Sequence, residues 1–171
     1  MLGKLALYME GLADRARAKK YRGRYNIHEN AALGKLHITG MNVSIGKGTY
    51  YNSGYISAGK SPKVTIGAWS AIGYNVSIVA STHDVNFPTG PEELRPMHSG
   101  DVSIGDGVWI GNNVVILPGC KIGNFSVIGA NSVVNADVPD FAICAGIPAR
   151  VIRGKDKAEC AAHVKFVTEN K

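Results

Sequence analysis

The hydrophobic positions of this chain recur with a period of six residues over much of its length. Between Asp101 and Asp137 an aliphatic residue occupies every sixth position: Ile104, Ile110, Ile116, Ile122, Ile128 and Val134. A helix requires an apolar period near 3.6 residues, and a half-buried strand a period of two. The period of six predicts short strands joined by corners and stacked as a parallel β-helix, with three hexapeptides in each triangular coil.

A second set of small residues reinforces this pattern. They stand two positions before each aliphatic residue: Val102, Val108, Val114, Cys120, Ser126 and Ser132. A narrow prism tolerates little bulk beside its core ladder, so these positions suit the interior of a repeat stack. Earlier copies of the aliphatic signal extend the repeat over about two thirds of the chain: Ile45, Tyr51, Ile66, Ile72 and Ile78.

The period breaks twice, and each break predicts an insertion. The intervals 45–66 and 78–104 span 21 and 26 positions, neither a multiple of six. The inserted residues are expected near 57–63 and 83–100. The second segment is rich in proline and glycine, which oppose regular structure, so it predicts a loop that protrudes from the prism. Loops on a rigid scaffold often carry function.

The two ends of the chain differ from the repeat. Residues 1–24 predict an amphipathic helix that ends near Gly23 and packs across one end of the prism, because apolar residues recur at three and four positions: Leu2, Leu5, Met9, Leu12 and Ala16. The β-helix is expected over residues 26–153, and residues 154–171 predict a helical tail that caps the far end. Together, residues 1–171 form one predicted domain.

Composition narrows the class of protein. The 171 residues are 45% hydrophobic and 19% charged, which is typical of a soluble globular domain. The sequence offers no apolar run of membrane-spanning length and no signal peptide, so we expect a cytoplasmic protein. Its three cysteines, Cys120, Cys144 and Cys160, suit a reducing compartment and a structural role.

The positive charge is concentrated near the N-terminus. The net charge is +6, and residues 15–24 contain six basic side chains without an acidic one. The segment is either a solvated helix face or a binding surface for an anionic partner. That partner would be a phosphorylated ligand or an anionic membrane surface, and a membrane contact would place the protein at the inner face of the membrane. The charges accompany no nucleic-acid motif, so nucleic acid is not an expected partner.

Few side chains in this sequence suit a catalytic or ligand-binding role. His83 follows a repeat strand at the start of the long loop, where an imidazole suits a general base, although a lone histidine is also compatible with a structural or merely exposed role. The histidines lack metal-ligand spacing, so no metal is expected. Arg150 and Arg153 suit a phosphate clamp or a solvated face. Trp109 lies at or near a corner, where ligand contact and surface packing are both open.

Four sequence motifs together identify a family resemblance. They are Val108-Trp109-Ile110-Gly111, Val115-Ile116-Leu117-Pro118-Gly119, Val127-Ile128-Gly129-Ala130 and the run 145–153, Ala-Gly-Ile-Pro-Ala-Arg-Val-Ile-Arg. With Thr82-His83, they resemble the hexapeptide-repeat O-acetyltransferases, and in particular the maltose and galactoside acetyltransferases and bacterial surface-polysaccharide acetyltransferases. The resemblance is close from about residue 43 to 153.

The resemblance implies a fold, an assembly and a co-substrate. The fold would be an all-β, left-handed parallel β-helix with a short N-terminal helix, a protruding loop and a C-terminal helix. Three copies would form a homotrimer with active sites between neighbouring prisms, and acetyl-CoA would be the acetyl donor.

The resemblance also implies roles for particular residues. His83 would be the catalytic base, and Asn52 and Trp109 would line the acceptor site. Coenzyme contacts would come from Gly111, Asn112, Ala130, Arg150 and Arg153. A backbone N–H near Gly111 or Asn112 would stabilise the oxyanion.

The sequence departs from the family in ways that concern the substrates. Only about 25 residues are present for the N-terminal helical segment, which is longer in the sugar acetyltransferases. Lys60 falls near a position that is acidic in that group, so the acceptor is expected to differ from a simple disaccharide. Asn135-Ala136 replaces a Thr-Lys pair that touches the coenzyme in relatives.

Four functions follow from these observations. The leading one is acetyl-CoA-dependent O-acetylation of a sugar or glycan hydroxyl in surface-polysaccharide biosynthesis. N-acetylation of an amino sugar, including a nucleotide-linked one, would use the same base and donor site. A metalloenzyme similar to the γ-carbonic anhydrases and a scaffold without catalysis are the other two alternatives.

Overall fold

The computed structural model describes residues 2–86, 91 and 96–171, with the backbone alone over 2–10. Its helices are α1 (Leu2–Arg22) and α2 (Ala161–Glu169). The first strands are β1 (Asn26–Ile27), β2 (Ala32–Thr39), β3 (Asn42–Ile45), β4 (Tyr50–Ser57), β5 (Lys63–Ile66), β6 (Ala71–Ile72), β7 (Val76–Val79), β8 (Ser81–His83) and β9 (Met97–Ser99). The remainder are β10 (Val102–Ile104), β11 (Trp109–Ile110), β12 (Val115–Ile116), β13 (Lys121–Ile122), β14 (Val127–Ile128), β15 (Val133–Val134), β16 (Ala142–Gly146) and β17 (Ala149–Gly154).

The strands form the three faces of a β-helix with about six turns. Face 1 contains β1, β3, β5, β10 and β13. Face 2 contains the first residues of β2 and β4, followed by β6, β11, β14 and β16, whereas face 3 contains the last residues of β2 and β4, followed by β7, β12 and β15. All neighbours within the faces are parallel, and β2 and β4 continue around the corner between faces 2 and 3.

The register between coils locates the extra residues. Ser103 pairs with Lys121, 18 positions further on, as expected for three hexapeptides. In contrast, Ser44 pairs with Thr65, a step of 21, and Val64 pairs with Val102, a step of 38. The first excess lies between β4 and β5. The second is a segment in which β8 and β9 pair antiparallel; of the loop predicted over 83–100, residues 87–90 and 92–95 lie outside the described residues.

The two residue sets that the periodicity selected form a large part of the core. The aliphatic ladder from Ile104 to Val134 and the small residues two positions earlier are all buried. Successive side chains of a strand point to opposite faces of the sheet, so two inward positions flank one outward position in each short strand. Each six-residue period of the hydrophobic pattern therefore corresponds to one repeat, and each repeat contributes one strand to one face of the prism.

Helix α1 covers the open edge of the first coil. Tyr21 donates its hydroxyl hydrogen to the carbonyl oxygen of Leu36, and the amide of Ile38 donates to the Tyr21 oxygen, both at 3.2 Å. The Arg22 guanidinium donates to the carbonyl oxygens of Glu29 and Ala31 at 2.7 Å. An uncovered strand edge is a template for intermolecular pairing, so α1 pairs with several backbone groups of this edge and shields it, as predicted for one end of the prism.

The apolar stripe predicted on α1 does not make this contact in the described residues. Leu12 and Ala16 are exposed, and the side chains of Leu2, Leu5 and Met9 lie outside the description. The helix instead packs through residues nearer its C-terminal end, where Ala18 and Tyr21 are buried.

Helix α2 lies along the side of the prism, so the prediction that the tail caps the far end is wrong. The Phe166 ring packs edge-on against Trp69 with 4.9 Å between centroids. The Trp69 indole N–H donates to the Asn170 carbonyl oxygen at 3.0 Å, and Lys171 forms an ion pair with Asp106. These contacts join the tail to the corner between faces 1 and 2. Neither helix is long and apolar enough to cross a membrane.

Candidate active site

His83 lies at the end of a short two-stranded arm. The arm consists of β8 and β9 and leaves the prism where face 3 turns towards face 1. Ser81 pairs with Ser99, Thr82 with His98, and His83 with Met97. Opposite residues of an antiparallel pair share a face, and successive residues alternate. His83 therefore projects from the same face of the arm as Met97 and the two serines, whose hydroxyl oxygens are 2.8 Å apart.

A cavity of about 420 Å³ adjoins the exposed His83 side chain. Its lining residues are Thr82, His83, Asp84, Val85, Asn86, His98, Leu117, Pro118 and Asn135. The volume lies within the range of small-molecule sites. The Asp84 carboxylate accepts hydrogen bonds from the backbone and side-chain N–H groups of Asn86 at 2.8 and 3.0 Å. Asp84 therefore shapes the loop beside the cavity.

Asn135 connects this cavity with the predicted phosphate clamp. It also lines a neighbouring cavity of about 290 Å³ that contains Arg150. The Arg150 guanidinium donates to the Asn135 side-chain oxygen at 3.3 Å and to the carbonyl oxygen of Ala149 at 2.9 Å. The surface from His83 to Arg150 is therefore continuous through one side chain.

A β-bulge sets the spacing of the two arginines. Strand β17 pairs antiparallel with β16, so that Arg150 lies opposite Ala145 and Arg153 opposite Ile143. The register shift between Ile143 and Cys144 leaves one extra residue in β17. Without it, residues three apart would project from opposite faces of a strand. The bulge brings both arginines onto one face, and both side chains are exposed.

The other predicted site residues cluster at the corner between faces 2 and 3. Asn52 lies there in β4, and Gly111, Asn112 and Ala130 follow the face-2 strands of later coils. Trp109 is 59% exposed at the outward position of β11. Within one chain, this cluster and the His83 arm occupy different corners of the prism.

Backbone hydrogen bonds limit what this corner offers a ligand. The Gly111 N–H donates to the Ile128 carbonyl oxygen at 2.8 Å, so it is engaged in the ladder and is unavailable to an oxyanion. The Asn112 side-chain oxygen accepts the Tyr74 amide at 2.8 Å. Of the two backbone donors considered from the sequence, Asn112 therefore remains.

Sequence reasoning did not assign a site role to several residues of the His83 cavity, among them His98, Leu117 and Pro118. Leu117 and Asn135 are one 18-residue coil apart, so the repeat register would have placed them in the same column. His98 offered no comparable signal, because its position depends on the pairing of β8 with β9.

Cys120 and Cys144 are buried. Desolvation raises the pKa of the Cys120 and Cys144 thiols, which makes them poor nucleophiles.

Among the described residues, histidine, cysteine and acidic side chains form no group of three suited to a metal ion.

Comparisons with known proteins define the class of this β-helix. Residues 101–136 match the family model for the bacterial transferase hexapeptide (six repeats). The chain is 34% identical over 141 residues to the Escherichia coli K12 protein named "Putative lipopolysaccharide biosynthesis O-acetyl transferase WbbJ", covering 77% of this chain and 72% of that one. It is 42% identical over 117 residues to the galactoside O-acetyltransferase of Escherichia coli K12, covering 67% of this chain and 55% of that enzyme.

The fold agrees with these sequence relationships. The hexapeptide-repeat acetyltransferase VCA0836 of Vibrio cholerae O1 biovar eltor, solved with acetyl coenzyme A, matches 90% of this chain and 85% of its own. The TM-score is 0.73 and the identity 32%. The chain therefore belongs to the hexapeptide-repeat acetyltransferases, and the predicted fold class, family and enzyme class are confirmed.

Proposed function

We propose that this protein transfers the acetyl group of acetyl-CoA to a hydroxyl of a sugar or glycan intermediate, with His83 as the general base. The observation that carries the proposal is the continuous surface from His83 through Asn135 to Arg150. It offers a base at one end and a cation for coenzyme phosphates at the other. The names of two relatives support an oxygen acceptor.

The proposed reaction is a direct transfer. The His83 imidazole takes the proton of the acceptor hydroxyl as the oxygen attacks the thioester carbonyl carbon. The C–S bond of the tetrahedral intermediate then breaks, and the leaving thiolate takes the proton from the imidazolium. The Asn112 N–H is the donor proposed for the oxyanion.

The coenzyme phosphates are proposed to bind Arg150 and Arg153. Guanidinium groups bind phosphate oxygens through paired N–H donors, and the bulge in β17 presents both from one face. The bond from Arg150 to Asn135 holds the guanidinium towards the His83 cavity while leaving other donors available.

A trimer is proposed because the outer surfaces of the faces differ in polarity. The outward column of face 1 is polar: Asn26, Ser44, Thr65, Ser103 and Lys121. The outward column of face 2 is apolar: Ala32, Tyr50, Ala71, Trp109, Val127 and Ile143. Face 3 ends similarly in Val115 and Val133. Neighbouring prisms that cover faces 2 and 3 would bring the corner with Asn52 and Asn112 next to the His83 arm of another copy.

The proposed setting is surface-polysaccharide assembly at the cytoplasmic side of the membrane. The name of WbbJ supports this setting, since it refers to lipopolysaccharide biosynthesis. The exposed Arg15, Lys19 and Lys20 of α1 remain available for an anionic membrane surface.

The proposal is tested by free-thiol release from acetyl-CoA with a panel of sugars, amino sugars and nucleotide sugars. Mass spectrometry of the product then identifies an ester or an amide. Release that depends on a sugar hydroxyl and yields an alkali-labile ester is expected. Release only with amine-bearing acceptors, and an alkali-stable amide product, would instead establish the N-acetyltransferase alternative.

A further inference from the structure

A third cavity lies on the opposite side of the β8–β9 arm from Thr82 and His98. Its volume is about 670 Å³. The arm contributes Ser81, Met97 and Ser99 to its wall, and these residues share a face of the arm with His83. His83 lines the cavity that leads to Arg150 and projects from the face of the arm that borders this other cavity, here called the basic groove.

The basic groove carries a positive charge from two distant parts of the sequence. Arg24 follows α1, and Lys60 lies in the extra segment between β4 and β5; both line the groove, and its lining contains no carboxylate among the described residues. The nearby Asp101 carboxylate accepts the backbone N–H of Lys63 at 2.8 Å. The groove therefore favours an anionic ligand.

Arg24 is anchored without being saturated. Its guanidinium donates to the Gly40 carbonyl oxygen at 3.4 Å, and its central carbon lies 5.4 Å from the centre of the Tyr25 ring. A guanidinium has five N–H donors, so one long bond leaves a fork for phosphate oxygens. Lys60 is exposed and adds a second charge.

The remainder of the wall suits a sugar ester. Hydroxyl groups come from Ser81 and Ser99 at the arm, whereas Met41 and Met97 are 68% and 52% exposed and provide apolar contact. A ligand whose phosphate lies between Arg24 and Lys60 would extend its sugar along these residues towards His83.

We infer that the basic groove binds the phosphate or diphosphate ester of a phosphorylated sugar, which is the acetyl acceptor. This inference rests on the proposed function, because it places the acceptor on one side of His83 and the coenzyme on the other. The shared chemistry is a sugar phosphate ester, carried by a nucleotide, by a polyprenyl lipid or by the sugar alone.

The inference is tested by calorimetric binding to the full chain saturated with coenzyme A. The probes are glucose, glucose 1-phosphate, UDP-glucose and a short-chain polyprenyl diphosphate glucose in detergent. At least one phosphorylated probe is expected to bind about tenfold or more tightly than glucose, since charge-assisted hydrogen bonds are the strong ones. The probe that binds most tightly identifies the carrier.

Charge-removing variants test whether the preference for phosphorylated sugars arises in the basic groove or from the overall positive charge of the protein. Arg24→Gln with Lys60→Gln is expected to reduce the preference to within about twofold. Lys157→Gln with Lys165→Gln removes the same charge from exposed positions at the other end of the chain and should preserve the preference. Lys60→Gln alone leaves the anchor of Arg24 intact and should weaken the preference without changing the melting temperature.

Either of two binding results would overturn the inference, and one activity result would do the same. One is equal binding of glucose and every phosphorylated probe; the other is an equal loss of the preference in the groove and control variants. Thiol release with neutral sugars alone would reject the groove while preserving O-acetyl transfer. Phosphorylated-sugar binding that depends on Arg24 and Lys60, without release from acetyl-CoA, would preserve the groove and reject the proposed function.

Discussion

Replacing Tyr21 with phenylalanine tests how α1 stabilises the first coil. The substitution removes one oxygen atom and keeps the ring. That oxygen accepts from the Ile38 amide and donates to the Leu36 carbonyl group, both at 3.2 Å, and both residues are buried. Two backbone groups at the open edge of the β-helix therefore lose their partner together.

The loss of unfolding free energy in Tyr21→Phe follows from these two hydrogen bonds. A net contribution of about 0.5–1.5 kcal/mol for each hydrogen bond gives about 1–3 kcal/mol. Both distances are long for their type, which favours the lower half, about 1–2 kcal/mol. In a chain of this size, each kcal/mol shifts the melting temperature by about 2–4 °C, so a decrease of about 2–8 °C is expected.

The assay is denaturant unfolding and thermal melting at one fixed protein concentration, because association would also stabilise the fold. Amide exchange of Ile38 provides a local readout and should become faster than that of Ile56 in the adjacent coil. Tyr74→Phe is the matched control, since that side chain is 60% exposed. A Tyr21→Phe melting temperature within 1 °C of the control, with Ile38 still protected, would refute the edge-capping argument.

Three further predictions concern other parts of the chain. Arg22→Gln should destabilise the fold by about 1.5–3 kcal/mol through loss of its charge-assisted bonds, whereas Lys19→Gln on the same helix should be neutral; equal melting temperatures would contradict this. A thiol reagent at pH 8 should modify Cys160 rapidly and the two buried cysteines only after unfolding, because burial raises the pKa of the latter and keeps them protonated; three equally fast thiols would oppose the described burial. Arg150→Gln with Arg153→Gln should raise the KM for acetyl-CoA about tenfold or more with a smaller change in kcat, and an unchanged KM would reject the phosphate clamp.

The periodicity was sufficient to predict the prism because it reports a property of every coil. Ile104 and Ile122 occupy the same column, so each repeat independently supports the same register. The two interruptions were also visible, since an insertion between β4 and β5, or between β7 and β10, shifts every later position. A repeated local signal thus specified most of the fold.

Non-local contacts were less accessible to sequence reasoning. The position of α2 depends on Trp69 and Phe166, which are distant in sequence and belong to no repeat. Similarly, Asn135 was considered only as a departure from a family pair, whereas the structure shows its bond to Arg150. The basic residues of segment 15–24 were predicted to form a surface for solvent or an anionic partner, although Arg22 donates hydrogen bonds to backbone carbonyl groups of the first coil.

The most direct test of the account compares turnover and coenzyme binding in His83→Ala. Loss of a general base is expected to lower kcat by about 10²–10⁴ fold. The affinity for acetyl-CoA should remain within about twofold, because the proposed phosphate contacts lie at Arg150 and Arg153. Near-normal turnover with an intact fold would contradict the assignment of His83 as the base.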